Sequence, residues 1–205
     1  MGSDGLIPPP GKGLGGPFWL LLVPHRDCQK ELRTYRRALF GGGLAGAFSF
    51  PEAVPLALLA RPLTKEEAAR MGVLLRAATR AGGGWFRAGG NLLTAAPPPG
   101  APRRGPLAFF GPRLEPDPAR VLAESGLIRG APVTDAPLVA ALLEEGDSER
   151  IARGLPPPPP LAFRAASLAC CVITPLDSGA EGLSFRWRIL PGVWLPSCKK
   201  TGAPA

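Results

Sequence analysis

The chain has 205 residues, of which 45% are apolar and 20% charged, a balance that allows a real core and argues against wholesale disorder. It carries 24 Lys and Arg against 16 Asp and Glu, a net charge of +8, and a single histidine, His25. Two cooperating histidines within one chain are therefore excluded, and with them much acid–base chemistry near neutral pH.

Residues 1–17 are rich in Gly and Pro and read as a loose leader. Phe18-Trp-Leu-Leu-Leu-Val23 reads as a buried strand that Pro24 ends. Asp27 is the expected N-cap of a helix from Cys28 to Phe40, with Cys28, Leu32, Tyr35 and Leu39 on its apolar face. Lys30, Arg33, Arg36 and Arg37 decorate the rest, and Gly41-Gly-Gly43 stops it. Ala47–Phe50 and Val54–Ala60 read as extended. Thr64-Lys-Glu-Glu67 is a capping box opening a helix whose inward stripe is Ala68, Met71, Leu75 and Ala78, closed by Gly82-Gly-Gly84. Short strands are predicted at Trp85–Ala88, Asn91–Ala95 and Leu107–Phe110. Asp117-Pro118 caps a short helix toward Ser125, and further short helices are predicted at Pro137–Glu144 and Ser148–Arg153. Pro156–Pro160 reads as a stiff connector. Leu161–Thr174 and Leu183–Leu190 read as a terminal hairpin, with Arg186 and Arg188 on one face of its second strand and a frayed tail at 196–205.

The charge is uneven along the chain. Residues 1–120 hold 16 basic and 8 acidic residues, whereas residues 121–205 hold 8 of each. The basic part can attract RNA, a nucleotide or an acidic protein, or it is an ordinary solvated arginine-rich surface. Arg33, Arg36 and Arg37, with Arg103 and Arg104, form the candidate anion patch, and Arg186 and Arg188 beside Trp187 a second. His25, Arg26 and Asp27, at a strand end before a helix, can make a small polar site, or are simply turn residues. The four tryptophans are expected in the core or at its rim.

Other motifs are weak. Gly11-Lys-Gly-Leu-Gly-Gly16 spells G-x-G-x-x-G but precedes a strand rather than following one, so it is not read as a dinucleotide cradle. Gly5–Lys12 fails as a phosphate loop because Pro8-Pro-Pro10 lack N–H donors. Cys28, Cys170, Cys171 and Cys198 form no C-x-x-C pair, and a zinc site is not expected. Free thiols point to a reducing, cytoplasmic setting. The six-residue run Phe18–Val23 is far short of a membrane span, so no membrane partner is expected.

Phe18–Val23, the helix after Asp27, and Pro55-Leu-Ala-Leu-Leu-Ala-Arg-Pro-Leu-Thr-Lys-Glu-Glu67 resemble the opening of the two-histidine phosphoesterases, the 2′-5′ RNA ligase-like proteins. Leu107–Arg113 and the hairpin Phe163–Leu190 are similar to later pieces of that fold. The resemblance implies a strand carrying H-x-T where this chain has Pro55-Leu56-Ala57, and no second H-x-T exists. Proline and alanine can neither transfer a proton nor orient a phosphate. The resemblance therefore implies lost phosphodiesterase catalysis, with no catalytic residue, metal or cofactor carried over.

The expected architecture is α+β over residues 18–195, a single two-lobed domain of mostly antiparallel sheets backed by helices, with a central cleft. The expected function is a non-catalytic derivative of that fold binding RNA, nucleotide or protein through a basic surface comprising His25, Arg26, Arg33, Arg36, Arg37, Arg186 and Arg188. Two alternatives stay open: an enzyme acting on a phosphorylated substrate through His25, and a plain protein-interaction module. The oligomeric state is left open. A degenerate site at Pro55 requires that residue to line the cleft; burial in an apolar core would defeat it.

Overall fold

A computed structural model describes residues 18–99, 101, 108–144, 146–152, 154–175, 185–189 and 193–194. The predicted leader and tail, Cys198, Arg103 and Arg104 lie outside them. The protein is α+β, built on two sheets in which every paired strand runs antiparallel to its neighbour.

The first sheet is centred on β1 (Phe18–Pro24), which lies between β2 (Val54–Leu59) and β8 (Ala165–Pro175). Their apolar sequences suit the position: β2 is buried along its whole length, and Leu20, Leu21 and Leu22 of β1 are fully buried. Beyond β2 lies the short strand β5 (Gly130–Pro132), which nothing in its composition suggests. β9 (Phe185–Ile189) and β10 (Val193–Trp194) both pair with β8. The β8–β9 pairing is that of the expected hairpin, but the predicted strand Leu161–Thr174 is divided, with Ala162–Phe163 going to the other sheet.

The second sheet runs β6 (Ala141–Leu143), β4 (Ala108–Glu115), β3 (Phe86–Ala95), β7 (Ala162–Phe163). Two predicted strands are here one, β3, whose pairing with β4 skips between Ala88 and Leu92. The intervening Gly89-Gly-Asn91 is exposed and forms a bulge, which glycine accommodates. The helix predicted for Pro137–Glu144 is absent. That segment is extended and ends in β6, and residues Pro137 to Leu143 are all buried. An unbroken apolar run of this length has no period to separate helix from strand, and tertiary burial decides it.

Residues 133–140 join the two sheets. Val133 N–H donates to the Leu56 carbonyl and Val139 N–H to Ala53, on the first-sheet side. Leu138 N–H donates to Pro112 and Ala140 N–H to Phe110, on the second. The junction is filled by aromatic rings: Trp19 packs edge-on against Phe109 at 5.4 Å and Phe50 at 6.2 Å between centroids, and Phe50 meets Phe109 at 5.1 Å. Two backbones approach so closely here that only glycine fits. A Cβ on Gly46 would strike the Leu142 carbonyl, and one on Gly111 the Leu138 carbonyl.

The helices obey their caps. α2 (Lys65–Thr79) opens with the predicted capping box: Glu67 N–H donates to Thr64 Oγ1 at 3.2 Å and Thr64 N–H to Glu67 Oε2 at 2.9 Å. It buries Ala68, Met71 and Leu75, packing against β8, β10 and α3 (Pro118–Glu124). Ala78 is only half-buried, and Thr79 takes the last inward place. The Asp117 carboxylate caps α3, accepting from Ala119 and Arg120 N–H. α4 (Asp147–Ala152) lies where a short helix was predicted, and 154–160 form an irregular connector as expected. α1 (Arg26–Gly41) starts two residues earlier than predicted, with a different cap.

Candidate functional site

The candidate site is built on α1. Its inner side follows the sequence pattern: Cys28, Leu32, Tyr35 and Leu39 are buried at i, i+4, i+7 and i+11. Burial pushes the Cys28 thiol up to about 12, with Glu31 adding to the shift, so this cysteine is a protonated core residue at neutral pH. Tyr35, likewise pushed up to about 12 by burial, donates its hydroxyl to the Pro156 carbonyl at 3.0 Å and ties the proline connector to the helix.

Arg26, Lys30, Arg33 and Arg37 share the same spacing, two residues out of step with the buried set. At about 100° per residue that offset places them on the side of α1 turned away from the core. All four are exposed. Arg33 Nε donates to Glu52 Oε1 at 3.1 Å. Arg26, Lys30 and Arg37 have no ion-pair partner among the described residues. A row of exposed cations along one side of a helix, three of the four without an ion-pair partner among the described residues, presents a strip of positive potential suited to a polyanion.

Arg36 does not belong to that strip, contrary to its expected place on the decorated face. It is only 2% exposed. Its Nη1 donates to the Phe50 carbonyl at 2.7 Å, and its Nη2 to Pro51 at 2.9 Å and Val139 at 2.6 Å. The guanidinium therefore clamps the loop before β2 to the segment that joins the sheets, and it is withheld from any ligand. Desolvation lowers its pKa to about 10, opposed by Glu52 with Oε1 at 3.9 Å, and the group stays charged at neutral pH.

His25, not Asp27, is the N-cap of α1: its Nδ1 accepts from Asp27 N–H at 3.4 Å. The Asp27 carboxylate sits 3.3 Å from the same nitrogen and occupies the first turn, where the helix dipole favours negative charge. One ring nitrogen cannot accept from the amide and donate to the carboxylate at once, so the two contacts are alternatives. His25 remains exposed beside Arg26.

Pro55, Leu56 and Ala57 are buried in the middle of the first sheet. Pro55 pairs with Leu21 next to a register shift in β1–β2, the kind of irregularity at which a strand tolerates proline. The three residues line no exposed surface, and a degenerate ligand site at Pro55 is thereby ruled out. His25 follows β1 four residues beyond Leu21, roughly 13 Å along the strand, and does not stand in for a histidine at Pro55.

The second predicted patch is seen only in its backbone, which sets Arg186 opposite Thr174 and Arg188 opposite Val172 in the β8–β9 pair. Trp19 is a core residue as expected. Trp85 is 38% exposed, with the Arg164 guanidinium 4.9 Å from its ring centroid, a cation–π contact that spacing did not suggest. Sequence reasoning also missed Phe40 and Phe48, exposed with their ring centroids 5.8 Å apart. Phe40 was legible in principle, because it continues the Arg26–Arg37 spacing by one more turn.

Among the described residues, no three His, Cys, Asp or Glu side chains gather as a metal site, and no helix is long and apolar enough to cross a membrane. Compared with known protein families and with curated proteins, the sequence returns no match to either.

Proposed function

We propose that this chain is a non-catalytic derivative of the two-histidine phosphoesterase fold that binds RNA through the outer side of α1. The observation that carries the binding is the exposed strip of Arg26, Lys30, Arg33 and Arg37, three of whose cations lack an acidic partner among the described residues. It lies in the part of the chain that holds all the excess positive charge. The lack of catalysis is argued from the chain's single histidine, which caps α1. Arg36 is left out of the binding surface because it is buried, with Nη1 and Nη2 both donating to main-chain carbonyls.

The test is equilibrium binding of a fluorescent RNA of mixed sequence across a salt series. Binding is expected to weaken steeply with salt. The R26E/K30E/R37E variant is expected to lower affinity and to flatten the slope of log K against log salt by about 2, as the loss of three phosphate contacts to a single strand requires. Salt-insensitive binding, or a triple variant that binds like the wild type, would refute the reading. Phosphodiester turnover abolished by His25→Ala would replace it with the enzyme alternative.

A further inference from the structure

We infer that the α1 surface is selective for single-stranded RNA, with phosphates along Arg26–Arg37 and an unstacked base on the Phe40–Phe48 aromatic pair. This rests on the reading of α1 as an RNA-binding surface and goes beyond it by naming the form of RNA. Phe40 is 55% exposed and Phe48 45%, unusual for phenylalanine in a protein that buries Phe50, Phe86, Phe109, Phe110 and Phe163 almost completely. Phe40 falls three residues after Arg37, so it lies on the same outward side, at the end of the cationic strip. Phe48 comes from the 3-10 turn Ala45–Phe48 that follows α1, and its ring tilts against that of Phe40 at 58°.

From Arg26 to Phe40 the strip spans about 21 Å of helix, enough for several phosphates followed by one base. Duplex RNA keeps its bases stacked and paired, and offers these rings nothing that its phosphates do not already offer the arginines. An extruded base in a single strand does, because every base has a face on which an aromatic ring can stack. The charge of the strip selects a polyanion as the occupant, and the rings select one with exposed flat apolar groups.

A membrane surface fits less well. An interfacial amphipathic helix inserts its apolar side between lipids with its cations at the rim. The apolar side of α1 is already buried in the protein's own core.

The experiment uses the full chain and a fluorescent RNA of roughly 12 nucleotides, free and annealed to its complement. Variants are F40L/F48L, which keeps apolar bulk without rings, and F40Y/F48Y, which keeps the rings. Both sites are exposed, and thermal unfolding verifies that each variant folds. The wild type is expected to prefer the single strand. F40L/F48L should lose about tenfold in single-strand affinity with an unchanged salt slope, leave duplex binding unaltered, and F40Y/F48Y should bind like the wild type. Equal affinity for strand and duplex, or an F40L/F48L variant that holds the strand as tightly as the wild type, overturns the inference while leaving the cationic strip standing. No salt-sensitive RNA binding by the wild type overturns both. If phosphatidylserine vesicles are bound and RNA is not, the surface is a membrane contact and the inference is wrong.

Discussion

Arg36 and Arg37 are neighbours in sequence and opposites in use. One turns inward and spends its charge on three main-chain carbonyls of the molecule's own loops; the other turns outward and meets solvent. About 100° of helix rotation separates a structural cation from one free to bind. A count of basic residues on a helix therefore overstates its capacity for anions, and only the positions opposite the apolar stripe belong in the sum. The same helix thus has a side that fixes the fold and a side available to a partner, and each can be disturbed without the other.

The sharpest break comes at Arg36. Arg36→Met takes the guanidinium donor from the buried Phe50 and Val139 carbonyls and leaves Pro51 with Ala53 N–H alone, and is expected to lower stability by about 3–5 kcal/mol in urea unfolding. Arg36→Lys should also be poorly tolerated, since an ammonium cannot reproduce the planar fork. Arg37→Gln should move stability by less than about 0.5 kcal/mol. Equal effects at the two sites would end the distinction between the two sides of α1.

A second contrast is between glycines. Gly46→Ala drives a methyl into the Leu142 carbonyl, and a loss of about 1–3 kcal/mol is expected from the backbone shift it forces. Gly41, at the end of α1, has nothing near the place of a Cβ, and Gly41→Ala should be close to neutral. Thermal melts of the two variants check this.

The smallest effect is in the pH dependence. Cys28 and Tyr35 keep their protons to about pH 12 in the folded chain, against ordinary values of 9.0 and 10.0. The folded state thus binds more protons above pH 9. Their contribution is complete below that pH and is lost as pH rises toward 12. Arg36 works the other way once pH passes about 10. Between pH 9 and 10 stability should therefore fall, and Cys28→Ala should flatten the fall; an unchanged slope would show that Cys28 ionises normally.

Much of the fold was legible because it rests on local rules. The Phe18–Val23 run, the Thr64/Glu67 box, the Asp117 cap and the β8–β9 hairpin all carry their signal within a few residues. The misses share a different cause. Arg36 is buried by carbonyls 14, 15 and 103 residues away, which no helical wheel includes. Pro137–Leu143 is extended because it is trapped between sheets, and its composition is equally that of a buried helix. His25 took the cap predicted for Asp27 because α1 starts earlier, a shift within the usual uncertainty of helix ends. At the site, the cationic spacing was there to be read, but the presence of Phe48 beside Phe40 depends on the turn after the helix.

The segment 133–140 also sets the size of the unit that unfolds. Two of its amides are held by one sheet and two by the other, with the Arg36 guanidinium fastened to the Val139 carbonyl between them. Parting the sheets would strip all of these bonds together and bare the Trp19, Phe50 and Phe109 rings at the same moment. Partial opening of one half thus has no cheap route. The molecule is expected to unfold in a single cooperative transition, with α1 coupled to both sheets through the Arg36–Val139 bond.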